Sequence, residues 1–401
     1  MSTRKKLVTT GFPEVGNKPF PMFIHKSVYA ESYIDKDRHY PLGYKKDNRK
    51  GEFLKMKRGL LFVLSIVMLA ILLAACGNSG SKDEQSTQNA QGGDSEKSLR
   101  MALVLPEKIG VNPFFVQMDE GFKKAGQEFK VDTKTIESTD PAAFEQNLRA
   151  AVAENYDLII TATFQAEDAL KQVAAENPNK SFAIVDTTVD LPNVRSVGFR
   201  EYEGAYLLGA AAGLSTKTDK VGMIAAMDIP LIKKYTEGFR AGLESVNPKA
   251  EFLVNYVGGF NDPAKSKELA LVQFDKGADF IAGAAAVGDL GVFEAAKEKG
   301  FYTSGQDTDR TVEDPEHIVL SQLKSTDTVA YETVKDFVEG KFQAGAVNYG
   351  LKEDGVGLTY VTRDSESPLS AFVGQDVVDQ VKAIRDDIVS GKIVVQDPLQ
   401  Q

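Results

Sequence analysis

From residue 99 onward, short β-rich runs alternate with longer stretches of helical period. Met101 to Leu105 predicts a strand, and Asn112-Pro113 opens a helix after it, with Asn as N-cap and Pro at the first helical position. Tyr156 to Thr161 predicts the next strand around Leu158-Ile159-Ile160, Glu167 to Glu176 a helix, and Ser181 to Val185 another strand. Strand, helix and strand in repetition imply a parallel sheet with right-handed crossovers. The small-residue stretch Gly204 to Gly213, with Leu207 and Leu208, predicts a helix packed closely on a sheet. After polar Ser215 to Lys220 the series restarts: strand Val221 to Ala225, helix Pro230 to Val246, strand Phe252 to Val257 and helix Asp262 to Phe274. Two successive α/β units of about 100 residues predict two lobes. Ligands of open α/β sheets sit beyond the carboxyl ends of the strands, so the cleft between two such edges is the expected site.

The chain ahead of this body has a different pattern. Lys57 and Arg58 precede the apolar run Gly59 to Ala75, too short for a membrane-spanning helix and ending in Leu73-Ala74-Ala75-Cys76. A basic start, a short apolar run and small residues before the cleavage point predict a signal peptide over 56–75. Its end resembles the lipobox of bacterial lipoproteins, which implies a lipid on Cys76. Gly77 to Ser98 is nearly all Gly, Ser, Asn, Gln and charge, and cannot bury enough apolar area to order itself. It predicts a flexible tether over 76–98 that spans on the order of 25 Å as a coil. Residues 1–55 are mixed, basic and aromatic without a period, and are expected to be a non-native or disordered extension. Lys50-Gly51-Glu52 can be encoded by a purine-rich stretch resembling a ribosome-binding site, which would make Met56 the start.

Composition narrows the function. At 42% hydrophobic and 26% charged, the chain of 401 residues is of ordinary globular type. Cys76 is its one cysteine, so no intrachain disulfide can form. Residues 1–58 carry a balance of +8 and the remainder −18. An acidic body argues against nucleic acid, whose phosphates call for a basic surface.

The second α/β unit carries a resemblance. Val221-Gly222-Met223 leads into Ala225-Ala226-Met227-Asp228-Ile229-Pro230-Leu231-Ile232-Lys233-Lys234 and then Gly238-Phe239-Arg240-Ala241-Gly242. With Val197-Gly198-Phe199, Glu203-Gly204-Ala205, Gly258-Gly259-Phe260, Asp262-Pro263-Ala264-Lys265 and Gly291-Val292-Phe293, this resembles the basic membrane protein family of substrate-binding lipoproteins. The resemblance covers roughly residues 99 to 395. It implies a type I periplasmic-binding fold of class α/β: two doubly wound parallel-sheet lobes joined by a hinge of three crossings. The allotment expected is 99–214 plus about 320–345 for the N-terminal lobe, and 215–319 plus about 346–401 for the C-terminal lobe. The resemblance further implies capture of purine nucleosides for an ABC permease and ATPase, on the extracytoplasmic face of the cell membrane, by a lipid-anchored monomer without a cofactor.

Site residues follow partly from local context and partly from the family. Phe260, after two glycines, is free to stand over a cleft and resembles the aromatic that stacks on the base. Phe114 or Phe115 supplies a second ring, and the sequence does not separate them. Asp307 matches a carboxylate that takes sugar hydroxyls, since an ionised carboxylate accepts strong hydrogen bonds. Lys324 matches a lysine of the same site. Asp168, close to Phe164, resembles an acid that reads the base, although an acid in a first helical turn also favours the helix dipole. Asn112 matches more loosely. The first loop, Pro106-Glu107-Lys108-Ile109-Gly110-Val111-Asn112-Pro113, departs from the family's acidic and Ser-rich pattern, as does Ala284-Ala285-Ala286-Val287-Gly288-Asp289. These departures bear on ligand identity.

Two alternatives stand beside this reading. A nucleoside hydrolase would suit the fold and the aspartates, but His317 is the one histidine of the body, and neither a Ser-His-Asp set, a His-rich metal spacing nor a P-loop is present. The expectation is therefore no enzyme and no metal. The other alternative is a lipoprotein sensor or surface interaction protein that binds a different heterocycle.

Overall fold

The computed structural model describes residues 98–400. The expected extension, signal segment, Cys76 and nearly all of the tether lie outside them. Five strands build the first sheet: β1 (Arg100–Leu105), β2 (Asp132–Glu137), β3 (Leu158–Ala162), β4 (Ser181–Val185) and β5 (Val194–Phe199). Five more build the second: β6 (Lys220–Ala225), β7 (Glu251–Tyr256), β8 (Phe280–Ala284), β9 (Tyr302–Asp307) and β10 (Ile318–Lys324). Two late strands complete them. β11 (Gly345–Tyr349) pairs with β5, and β12 (Val356–Leu358) with β10. The orders β2-β1-β3-β4-β5-β11 and β7-β6-β8-β9-β10-β12 are the same, and every ladder is parallel except β10 with β12. Each sheet and its flanking helices form one lobe.

Burial alone does not decide which strands the apolar pattern marked, since β3 was expected and β8 was not. β3 and β8 are buried along their whole length, as parallel strands covered on both faces must be. The edge strands β2 and β7 are half-exposed, β2 being largely polar and β7 apolar at its centre, and β11 is mostly exposed.

The helices are α1 (Pro113–Phe129), α2 (Pro141–Ala153), α3 (Glu167–Glu176), α4 (Glu201–Ser215), α5 (Pro230–Val246), α6 (Pro263–Asp275), α7 (Asp289–Lys299), α8 (Thr326–Val338) and α9 (Gly374–Val389). Three of them start with the same device, an acceptor side chain at the N-cap followed by Pro. Asn112 accepts from Phe114 N–H (3.2 Å), Asp140 from Ala143 N–H (2.9 Å) and Asp262 from Lys265 N–H (2.9 Å).

The chain passes between the lobes three times: after β5 at Arg200, after β10 at Ser325, and between β11 and β12. This corrects the expected allotment of residues. α4 is buried on nearly every side, so it needs cover all round, and finds it against α5, β10 and β12 of the second lobe. β10 extends the ladder of β9, which places residues 318–324 in the second sheet, and β11 returns residues 345–349 to the first. α8 lies against α1 in the first lobe.

The crossings are tied together. Arg200 pairs with Glu203 (2.6 Å) and with Glu353, and Glu203 accepts from Leu351 N–H (2.7 Å). Ser325 donates its N–H to the Gly355 carbonyl (2.9 Å) and its hydroxyl to the Asp354 carbonyl (2.7 Å). Each crossing is thus hydrogen-bonded to another. The hinge behaves as one structural element rather than three loose strings.

Candidate functional site

Both sheets present the carboxyl ends of their strands to one cleft, the expected place for a ligand in open α/β sheets. The first lobe contributes Glu107, Asn112, Phe114 and Phe115 after β1, Thr163, Phe164 and Gln165 after β3, and Asp186 after β4. The second contributes Leu231, Ile232 and Tyr235 from α5, Phe260 after β7, and residues at the ends of β8, β9 and β10. Four of the lining residues, Thr163, Asp186, Ala286 and Asp307, have φ between +52° and +74° without being glycine. Each sits at the end of a strand or just after it, where the left-handed backbone turns the chain sharply at the edge of the cleft. Such conformations cost energy and cluster at functional sites.

Seven of the eight expected residues line the cleft: Asn112, Phe114, Phe115, Phe164, Phe260, Asp307 and Lys324. Phe114 and Phe115 both take part, their rings meeting edge to face at 5.2 Å. Phe164 and Phe260 approach across the lobes with ring centroids 6.3 Å apart. Asp168 does not line the cleft. It is exposed in the first turn of α3, where its charge favours the helix dipole, because the 3-10 turn Phe164–Ala166 turns Phe164 and Gln165 inward instead.

The polar floor is an ion cluster around Lys324. This side chain is 3% exposed, and its ammonium pairs with Asp186 and, at 3.0 Å, with Glu201. Glu201 also pairs with Lys234 at 2.9 Å. The rings of Phe199 (4.9 Å) and Phe114 (5.4 Å) flank the ammonium. Burial alone would discharge Lys324, but Asp186, Tyr235, Glu201 and Asp307 outweigh it and hold the ammonium protonated well above the ordinary lysine range. Burial pushes Asp186 and Asp307 upward, opposed in each by Lys324. For Glu201 the two lysines win against burial and its carboxyl falls below the usual range. Of the three N–H groups of the ammonium, one is directed at Asp186, while the Glu201 contact is an ion pair without a directed hydrogen bond, so donor capacity remains for a further acceptor. The cluster joins Asp186 of the first lobe, Glu201 after the first crossing and Lys324 before the second. Gln117 of α1 adds a clasp between lobes, donating to the Lys324 carbonyl at 2.7 Å.

Sequence reasoning missed Asp186, Glu201, Tyr235, Gln306 and Glu107. A signal existed for the first: Asp186-Thr187 ends β4 as Asp307-Thr308 ends β9. Glu201 had none, since an acid in a first helical turn reads as a surface charge. Burial raises the carboxyl of Glu107, opposed by Asn112.

Behind the cleft wall, Asp289 at the start of α7 is fully buried against Gly283, accepts from Ala285 N–H at 2.8 Å, and is pushed by burial up to about 8. A carboxyl whose folded pKa lies above its unfolded value near 3.8 weakens the fold as pH rises from about 4 to about 8. Asp289→Asn keeps the acceptor and cannot ionise. Its melting temperature should therefore fall less than that of the parent between pH 5 and pH 8, with a difference on the order of a few kcal/mol at the upper end. Equal slopes in thermal scans at the two pH values would contradict this.

Comparison with known proteins agrees with this architecture. The model of a family described as ABC transporter substrate-binding protein PnrA-like matches residues 98–398. The chain is 31% identical over 367 residues to a CD4+ T-cell-stimulating antigen of Listeria innocua, covering 85% of this chain and 99% of that protein. It is 30% identical over 366 residues to the ABC transporter nucleoside-binding protein BmpA of Lactococcus lactis, with the same coverage. Among solved structures, a solute-binding protein of an ABC transporter system from Aeropyrum pernix matches with a TM-score of 0.65 and 27% identity, covering 74% of this chain and 94% of that one. Two lobes of like strand order, three tied crossings and a cleft of rings over an ion cluster thus accompany a match over the whole described body, and the chain belongs to the PnrA-like family of ABC transporter substrate-binding proteins.

Proposed function

We propose that the protein is a monomeric lipoprotein, held to the extracytoplasmic face of the cell membrane by a lipid on Cys76, that captures purine nucleosides in the interlobe cleft and passes them to an ABC permease and ATPase. The observation that carries this reading is the pairing, in one cleft, of apolar rings from both lobes with Asp307 and Lys324. Phe260, Phe114, Phe115 and Phe164 offer faces for a flat base. Asp307 accepts from sugar hydroxyls, and the donor capacity that Lys324 retains is available to a ligand oxygen. Asn112, held as the N-cap of α1, presents a polar group at the rim. A ligand touching both lobes stabilises their closed arrangement, and that difference is what a permease can sense. The nucleoside-binding name of the Lactococcus lactis relative supports the ligand class.

Calorimetric titration with guanosine, inosine, adenosine, uridine and cytidine tests it. Purine nucleosides should bind at micromolar concentration or tighter. Phe260→Ala should weaken them by roughly ten- to a hundredfold, since base stacking is worth about 1 to 3 kcal/mol. Asp307→Ala should weaken them at least as much. A parent protein that binds none of the five would favour the alternative, a sensor or surface protein for another heterocycle.

A further inference from the structure

Along a regular strand Gln306 and Asp307 would point to opposite faces. At the end of β9 the φ of +68° at Asp307 breaks the pleat, and both residues line the cleft. Gln306 is 4% exposed, yet neither its amide nitrogen nor its amide oxygen has a hydrogen-bond partner. It lies beside the Asp307 carboxyl, which it helps to keep ionised without a well-directed bond. The other buried glutamines behave differently. Gln117 gives its amide N–H to the Lys324 carbonyl, Gln322 to the Glu201 carbonyl, and Gln273 to Met223, Leu253 and Asn255. A buried amide left without partners is rare in folded proteins and calls for an explanation.

We infer that Gln306 is a specificity-determining residue which, together with Asp307, reads two adjacent hydroxyl groups, the vicinal diol of a ribose. The chemistry follows from what each group can offer. An ionised carboxylate only accepts, so Asp307 consumes hydroxyl protons and leaves the hydroxyl lone pairs unmatched. The amide nitrogen of Gln306 supplies N–H to one of those lone pairs, and its oxygen accepts from a hydroxyl that Asp307 does not take. Carboxylate and amide side by side therefore match a diol, whose members each donate and accept. A sugar lacking one hydroxyl leaves one of these buried groups unpaired, and a site built around a hydroxyl discriminates strongly against the analogue without it.

The inference rests on the nucleoside reading, and the test separates the two. Guanosine, 2′-deoxyguanosine and 3′-deoxyguanosine are titrated into the parent protein, Gln306→Leu and Gln306→Glu, and all three proteins are melted without ligand. The parent should prefer guanosine to both deoxy forms. Gln306→Leu should weaken guanosine at least about tenfold while changing the better deoxy form by less than about threefold, which erases most of the preference. Gln306→Glu, which places a second acceptor beside Asp307, should not restore it. Ligand-free Gln306→Leu should melt no lower than the parent, because replacing an unpartnered amide by an apolar group of similar shape removes a burial cost. A lower melting temperature would assign Gln306 to the fold. Unchanged guanosine affinity, or an equal loss on all three nucleosides, would show that Gln306 does not read the diol. If the parent binds no nucleoside, the ligand reading fails, and this inference falls with it.

Discussion

Lys324→Met should lower the stability of the protein by about 3 to 5 kcal/mol, the cost of breaking a buried ion pair by removing one partner. The loss comes less from the missing attraction than from the carboxylates left behind. Asp186 and Glu201 are 6% and 1% exposed at their side chains, and without the ammonium only Lys234, which reaches Glu201, opposes their charge. The deficit depends on pH with a definite sign. In the parent, the lowered carboxyl of Glu201 contributes stability that is present above its ordinary pKa and lost as pH falls through the lowered value. In the variant the same carboxyls take up protons more readily and become neutral, so the gap to the parent should narrow as pH falls from 7 towards 5. Urea unfolding at the two pH values measures this. A gap that stays constant would mean that packing rather than charge holds the cluster. Adding Asp186→Asn and Glu201→Gln to Lys324→Met should recover much of the loss, because the three side chains act as one network.

Gly242→Leu should cost about 3 kcal/mol or more, at the upper end of what overpacking does. α4 and α5 cross with their backbones in contact. A Cβ on Gly242 would stand 1.9 Å from the Tyr206 carbonyl oxygen, one on Gly209 2.0 Å from the Phe239 carbonyl oxygen, and one on Gly238 2.6 Å from the Tyr202 carbonyl oxygen. Each of these neighbours is backbone and cannot rotate away. The helices would have to separate along their whole crossing, and α4 follows directly on the first hinge crossing and on Glu201. The denaturation midpoint should fall without a change in its slope, and ligand affinity should fall with it. Gly259→Ala is the control, since a methyl there meets nothing within 4 Å and should leave the midpoint in place.

The elements most legible in the sequence are those whose surroundings impose a period or a run. β4, α3 and α5 agree with the expected bounds, and Asn112 marked a helix start through capping chemistry that is local to a few residues. β5, β8, β9, β10 and β12 received no bounds from the apolar pattern although they are largely buried, and β2 and β11 were missed for a physical reason. An edge strand with solvent on one side carries polar residues such as Asp132, Thr133 and Lys134, and its strand character comes from the neighbour that it pairs with. The allotment of residues to lobes was hidden for the same kind of reason. α4 follows β5 in the chain, but which lobe it covers depends on where α5 lies. Of the site, Phe260 was legible through the glycines before it, and Asp307 and Lys324 through the family resemblance, whereas Glu201 and Gln306 differ from surface residues only in being buried.

Three crossings also have a consequence for how the molecule comes into being. A chain that emerges from its N-terminus presents β1 to β5 first, with the open edge of β5 exposed, and must then deliver all of β6 to β10 before β11 can cover that edge. β12, which closes the other sheet, arrives later still. Pairings so distant in sequence are slow to form, and an uncovered strand edge in the meantime invites association with other chains. Neither lobe can be cut out as a continuous segment, and a chain halted before residue 349 finishes neither. Every residue that lines the cleft lies between Glu107 and Lys324, so the whole binding surface is synthesised before the two strands that close the sheets, and it must wait for them on open edges.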